Sequence, residues 1–139
     1  MRGLRKSGRT IGVVPTMGAL HEGHLSLARA SLADNDDTIV TIFLNPTQFA
    51  PQEDLSRYTR TLESDVERLA AEGVGYVFAP PREEVYPDDF TTSVVAPAVG
   101  RRLEGEFRPT HFGGVVTVVL KILNMTCADR AYFGQKDYQ

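Results

Sequence analysis

A short apolar run, Ile11-Gly12-Val13-Val14, stops at Pro15 and gives way to a polar loop holding two glycines. Helical periodicity then begins at His24, with Leu25, Ala28 and Leu32 on one face, and Asn35-Asp36-Asp37 closes that helix. The handover is repeated. Residues 38–44 are dense in β-branched side chains and apolar on both faces, as in a strand buried between two layers, and end at the turn signal Asn45-Pro46. Residues 56–73 predict a second helix carrying Leu62, Val66, Leu69 and Ala70 at helical spacing, with Gly73 as its stop. Residues 76–79 predict a third strand before Pro80-Pro81. Strands that alternate with helices over such lengths need right-handed crossovers, so the expected fold is α/β: a Rossmann-like parallel sheet with flanking helices.

The remainder is less regular. Residues 83–97 read as a surface loop around Pro87 and Asp88-Asp89, with a candidate strand at 91–95, and residues 105–110 read as another loop. Residues 113–125 have the continuous apolar texture of a buried helix, with Val115, Val118, Val119 and Ile122 in the core. Residues 131–133 read as a last strand running into Gly134. A chain of 139 residues, 42% hydrophobic, is long enough for one domain with a real core.

Composition excludes several function classes. Net charge is −3 and the basic residues are scattered, so no polyanion-binding stripe is expected and no nucleic-acid partner. Cys127 is the sole cysteine, so neither an intrachain disulfide nor a cysteine-cluster metal site can form. The apolar stretch at 115–125 is interrupted by Lys121 and is too short for a bilayer, and the basic N-terminus is not followed by a signal-peptide run. The expectation is a cytoplasmic protein with no membrane partner.

In parallel α/β sheets ligands sit beyond the carboxyl ends of the strands, which directs attention to the loops at 15–24, 45–49 and 134–139. The first reads Pro15-Thr16-Met17-Gly18-Ala19-Leu20-His21-Glu22-Gly23-His24. A helix N-terminus offers unpaired N–H groups and a positive dipole end, and Gly18 and Gly23 let the backbone approach a ligand. His21 and His24 fall on one face of a helical turn and can donate to phosphate oxygens during nucleotidyl transfer. Zinc is a competing reading, although the helical zinc pair needs His-Glu-x-x-His, with Glu22, His111 or a carboxylate as third ligand. A Walker loop is excluded because no Gly-Lys-Ser/Thr follows the glycines. Two solvated histidines at a helix start are the bland reading.

His21-x-Gly23-His24 resembles the His-x-Gly-His signature of the nucleotidyltransferase superfamily that includes class I aminoacyl-tRNA synthetases. The longer string from Pro15 through His24, continuing Leu25-Ser26-Leu27, resembles the pantothenate synthetase family. Three further blocks agree in order: Phe43-Leu44-Asn45-Pro46-Thr47-Gln48-Phe49, Glu104-Gly105-Glu106-Phe107-Arg108-Pro109-Thr110-His111-Phe112, and Tyr132-Phe133-Gly134-Gln135-Lys136-Asp137-Tyr138-Gln139. The resemblance implies a pantoate–β-alanine ligase working in two steps. Pantoate carboxylate attacks the α-phosphorus of ATP, giving pantoyl adenylate and pyrophosphate; the β-alanine amine then displaces AMP. Positioning and charge stabilisation carry such chemistry, with no protein nucleophile.

By the same resemblance, Met17, Gly18, His21, His24, Gly134, Lys136 and Asp137 belong to the ATP site, with His21, His24 and Lys136 as the catalytic groups facing phosphates. Gln48 is implied to bind pantoate, and Asn45 a phosphate or β-alanine. Mg²⁺ should accompany ATP, held mainly by phosphate oxygens and water rather than by a protein cage. Arg108 and His111 fit loop ordering or a subunit contact at least as well as catalysis. A homodimer is implied for the intact enzyme. The chain stops at Gln139, before a second pantoate glutamine, a later Ser-Ser-Arg segment and a C-terminal lid domain. Residues 1–139 are therefore expected to be an incomplete ATP- and pantoate-binding domain, weakly active or inactive alone. Two alternatives remain: another His-x-Gly-His nucleotidyltransferase, and a non-catalytic nucleotide-binding or assembly module.

Overall fold

The computed structural model describes residues 8–48 and 61–139. Its elements run β1 (Ile11–Thr16), α1 (Glu22–Asp34), β2 (Asp37–Ile42), a 3-10 turn (Pro46–Gln48), α2 (Leu62–Ala71), β3 (Tyr76–Phe78), α3 (Arg82–Val85), a 3-10 turn (Ala98–Arg101), α4 (Glu104–Phe107), α5 (His111–Thr126), β4 (Arg130–Ala131) and a 3-10 turn (Gln135–Asp137). The strands form one sheet in the order β3-β2-β1-β4, and every pair is parallel. The α/β expectation holds.

Side chains alternate across a strand, so neighbours on β1 face opposite layers. Val13 packs with Phe43, Val85, Tyr86, Val118 and Ile122. Val14 packs with Leu20, Ala28, Val40, Leu69 and Val74. Both faces of the sheet are therefore covered, as the two-sided apolar texture of the strands requires. Burying valine or isoleucine side chains such as Ile11, Val13, Val14 and Ile39, all at 0% exposure, stabilises by about 1.5–3 kcal/mol each.

Several boundaries differ from the sequence reading, each for a local reason. β1 runs through Pro15 to Thr16. The carbonyls of Ile11 and Val13 accept from Asp129 and Tyr132 on the β4 side, whereas that of Thr16 accepts from Phe43 on the β2 side. Pro15 shares the phase of Ile11 and Val13, and β4 pairs only with Gly12 and Val13; no β4 residue pairs with the proline on that side, so its missing N–H costs no ladder bond. Helix α1 begins at Glu22, not at His24, because the His21 side chain caps it. Asp37 belongs to β2, not to the helix end.

Of the apolar positions expected on the described part of the second helix, Leu69 alone is buried. Leu62 and Val66 are exposed, Ala70 is exposed, and the inward positions are Asp65 and Leu69; the predicted start at 56–60 lies outside the described residues. Gly73 does stop the helix, with φ of +85°. Residues 91–95 form no strand; Val94 N–H donates to Thr117 Oγ1 on α5 at 3.0 Å rather than to a neighbouring strand. Part of the loop expected at 105–110 is the short helix α4. The core helix is longer than predicted, at His111–Thr126, with Val118 and Ile122 buried as expected and Val115 and Val119 only half-buried. The last strand is confined to Arg130–Ala131.

Candidate active site

The strand order turns outward in opposite directions on either side of β1: β2 and β3 lie on one flank and β4 on the other. Crevices beyond such reversals are where ligands bind in open α/β sheets. The loops leaving β1 and β4 meet there, and they carry the two histidines and Lys136.

The β1 loop is held by the helix packed beneath it. Gly18 has φ of +90° and Ala19 φ of +52°, a left-handed excursion that is unfavourable for a residue with a Cβ. Asp65, only 2% exposed, offsets that cost: Oδ2 accepts from Ala19 N–H and Oδ1 from Leu20 N–H, both at 2.9 Å. Thr61 Oγ1 donates to the same carboxylate at 2.8 Å, and Arg68 donates to Leu20 O at 2.5 Å. Backbone amides bound to an ionised acceptor make charge-assisted bonds, roughly twice the strength of neutral ones.

His21 and His24 then close the helix start on each other. His21 Nδ1 accepts from Gly23 N–H at 3.1 Å, and His24 Nδ1 accepts from the His21 N–H at 3.4 Å. This is a capping box built from imidazoles. It satisfies N–H groups that the helix geometry leaves unpaired. The ring centroids are 4.1 Å apart with a 37° tilt. A Cβ on Gly23 would sit 2.9 Å from His21 Cε1, so glycine is what lets the ring lie there. Because each Nδ1 is an acceptor, the proton of each neutral ring is assigned to Nε2. Two Nε2–H donors are thereby left for a ligand. Burial, aided by His21 and Lys136 and opposed by Asp137 and Asp65, holds His24 below the ordinary imidazole pKa. The His24 ring is thereby held toward its neutral form.

Lys136 and Asp137 lie in the turn that follows β4, with Gly134 at its start. Gly134 has an ordinary φ of −72°. Lys136 Nζ pairs with Asp137 Oδ1 at 2.6 Å, with side-chain exposures of 72% and 41%, and its charge reaches His24.

The loop after β2 joins this site through Gln48, whose Nε2 donates to Met17 Sδ at 2.9 Å. Asn45 lies at the start of the same loop. It is 1% exposed and its polar atoms are occupied. Nδ2 donates to Gln48 Oε1 at 3.0 Å and to Gly114 O at 3.2 Å. Oδ1 accepts from Thr47 Oγ1 at 3.0 Å and Tyr86 O–H at 2.9 Å. Asn45 thus holds the side-chain carbonyl of Gln48. Burial raises the Tyr86 phenol pKa, which keeps it a donor. Phe49 lies outside the described residues.

The expected site residues thus lie on three loops at one end of the sheet, with Asn45 beneath them as a support. Sequence reasoning missed Asp65, Arg68, Thr47 and Tyr86. Asp65 left one sign: a carboxylate one helical turn before the buried Leu69. Among the described residues no group of three or more His, Cys, Asp or Glu side chains is gathered as a metal site would require.

A family model described as Pantoate-beta-alanine ligase matches residues 1–139. The chain belongs to the pantoate–β-alanine ligase family. Pantothenate synthetase of Caldicellulosiruptor saccharolyticus is 57% identical over 136 residues, covering 98% of this chain and 48% of that protein. That of Cereibacter sphaeroides is 58% identical over 135 residues, covering 97% and 48%. The chain spans about half the length of the curated relatives it matches. Among solved ligases of the family, the Francisella tularensis protein, complexed with beta-gamma ATP and beta-alanine, superposes with a TM-score of 0.91 at 42% identity, over 98% of this chain and 54% of that one. The Thermus thermophilus pantothenate synthetase gives 0.89 at 46% identity, over 93% and 47%.

Proposed function

We propose that this chain binds ATP and pantoate and takes part in forming pantoyl adenylate, from which β-alanine displaces AMP to give pantothenate. The observation that carries the reading is the histidine capping box, which engages the Nδ1 of both rings and leaves each Nε2 for a ligand at a helix N-terminus, where the Lys136 charge acts on His24. His21 and His24 donate to phosphate oxygens, and Lys136 adds a positive charge as negative charge accumulates on the leaving pyrophosphate. Met17, Gly18, Gly134 and Asp137 border the nucleotide. Gln48, its Oε1 engaged by Asn45, presents its NH₂ to an acceptor oxygen of pantoate. Both reacting groups come from the substrates, so the protein's part is alignment.

Apart from the Asp137 carboxylate, which is paired with Lys136, the site's side chains offer imidazole, ammonium and amide groups, so Mg²⁺ arriving with ATP would be held by phosphate oxygens and water; when bound it supplies charge neutralisation at the phosphates. The family reading carries a homodimer and a cytoplasmic location with it. Among the described residues no helix is long and apolar enough to cross a membrane.

The decisive experiment is pantoate-dependent exchange of labelled pyrophosphate into ATP. Exchange that requires pantoate and falls by about 100-fold or more in His24→Ala is expected, in line with losing a transition-state donor. Exchange that is independent of pantoate, or survives His24→Ala unchanged, contradicts the assignment.

A further inference from the structure

The turn that carries Gln48 is only three residues long, Pro46–Gln48. A 3-10 turn this short supplies little hydrogen bonding of its own, so its position must be set from outside. Two side chains, 60 and 63 residues further along the chain, converge on one atom of it. His111 Nδ1 lies 3.0 Å from Gln48 O, and Arg108 donates an N–H to the same carbonyl at 3.2 Å. A carbonyl can only accept, so the Nδ1 of His111 carries its proton.

The backbone geometry agrees. The turn rests directly on the first turn of α5, where a Cβ on Gly114 would lie 2.4 Å from Thr47 O and 2.8 Å from Gln48 N. Only glycine permits that approach, and Asn45 Nδ2 ties the loop to Gly114 O from the other side. His111 opens α5, and its own N–H donates to Arg108 O. The two donor side chains and the glycine thus form one platform at the α4–α5 junction.

We infer that His111 and Arg108 are positioning residues for pantoate binding, acting through the main chain of Gln48 rather than on a substrate. The inference deepens the ligase reading and rests on it. Fixing the Gln48 carbonyl sets the origin of the side chain whose amide is already oriented by Asn45 and directed along Met17. ATP contacts are made from different loops, so loosening this clamp weakens pantoate binding selectively.

The test compares His111→Asn, which keeps a donor near the Nδ1 position, with His111→Gln, which moves it out toward Nε2, and with Arg108→Lys. Dissociation constants for pantoate and for ATP are measured on the 139-residue chain, alongside thermal unfolding. Expected results are roughly tenfold weaker pantoate binding in His111→Gln, as for one lost hydrogen bond in a well-ordered site, rescue to within about twofold in His111→Asn, and unchanged ATP binding in both. Arg108→Lys is expected to fall between them. Equal pantoate affinity in His111→Gln and the unaltered chain overturns the inference, as does a parallel loss for pantoate and ATP. Failure of the unaltered chain to bind pantoate overturns the ligase reading itself, and this inference with it.

Discussion

The two loops that meet beyond β1 are built by opposite means. The β1 loop is tied down by a buried carboxylate, two consecutive amide bonds and an imidazole capping box. The β4 loop presents Lys136 at 72% side-chain exposure, followed by Tyr138 at 97%, and the lysine's bond is to its own neighbour Asp137. Fixed hydrogen bonding is therefore concentrated on the histidine side, where the proposed phosphate donors stand. A lysine is a point charge on a flexible stem and needs no such frame. Preorganisation is found where direction matters.

The largest break in that contrast should come from Asp65. Replacing it with Ala leaves the buried Leu20 amide without its acceptor and takes one of two acceptors from the Ala19 N–H of the strained loop, and stability should fall by about 3 kcal/mol, read as a shift in the urea midpoint. Nucleotide affinity should fall with it. Lys136→Ala is the counterpart: stability should change by less than about 0.5 kcal/mol, while ATP binding weakens roughly tenfold and loses part of its salt dependence. A Lys136 variant that unfolds as readily as the Asp65 variant would erase the distinction. Gly18→Ala comes next, with an expected loss of about 1–2 kcal/mol from forcing a Cβ into a left-handed backbone.

Which parts were legible in the sequence follows the same division. Signals written within a few residues match the structure: Gly73 as a stop, the two-sided apolar texture of β2, and the motif loop itself; β2 ends at Ile42, short of the Asn45-Pro46 turn signal. What failed depended on distant partners. Leu62 and Val66 look like a core face because nothing local says that Asp65 must turn inward toward Ala19, 46 residues earlier. Residues 91–95 have strand composition, but a strand needs a neighbour, and Val94 meets Thr117 of a helix instead. Histidine is not among the strongly preferred N-cap residues, so the early start of α1 is hidden until the His21–His24 exchange is visible.

The smallest expected effect is a pH dependence. The His24 pKa is lowered from 6.5 by burial, then by His21 and Lys136. Below 6.5 the unfolded chain therefore binds more protons than the folded one, and stability must fall as pH drops from that value through the folded pKa. Protonating Nδ1 also removes the acceptor that caps the His21 N–H. His24→Gln should flatten the slope of the unfolding midpoint between about pH 6.5 and 5. An unchanged slope would mean that the ring carries no such penalty.

Proton placement at Nε2 of the paired imidazoles is the central claim, and long-range proton–nitrogen correlation spectra at about pH 7.5, above the ordinary imidazole pKa, measure it directly. The chain has three histidines, so each serves as a control for the others. His21 and His24 should both appear as neutral rings protonated at Nε2, His111 as one protonated at Nδ1, and a non-hydrolysable ATP analogue should shift the Nε2 signals of the pair while leaving His111 in place. Nδ1 protonation in either His21 or His24, or Nε2 signals that stay fixed at saturating nucleotide, would contradict it.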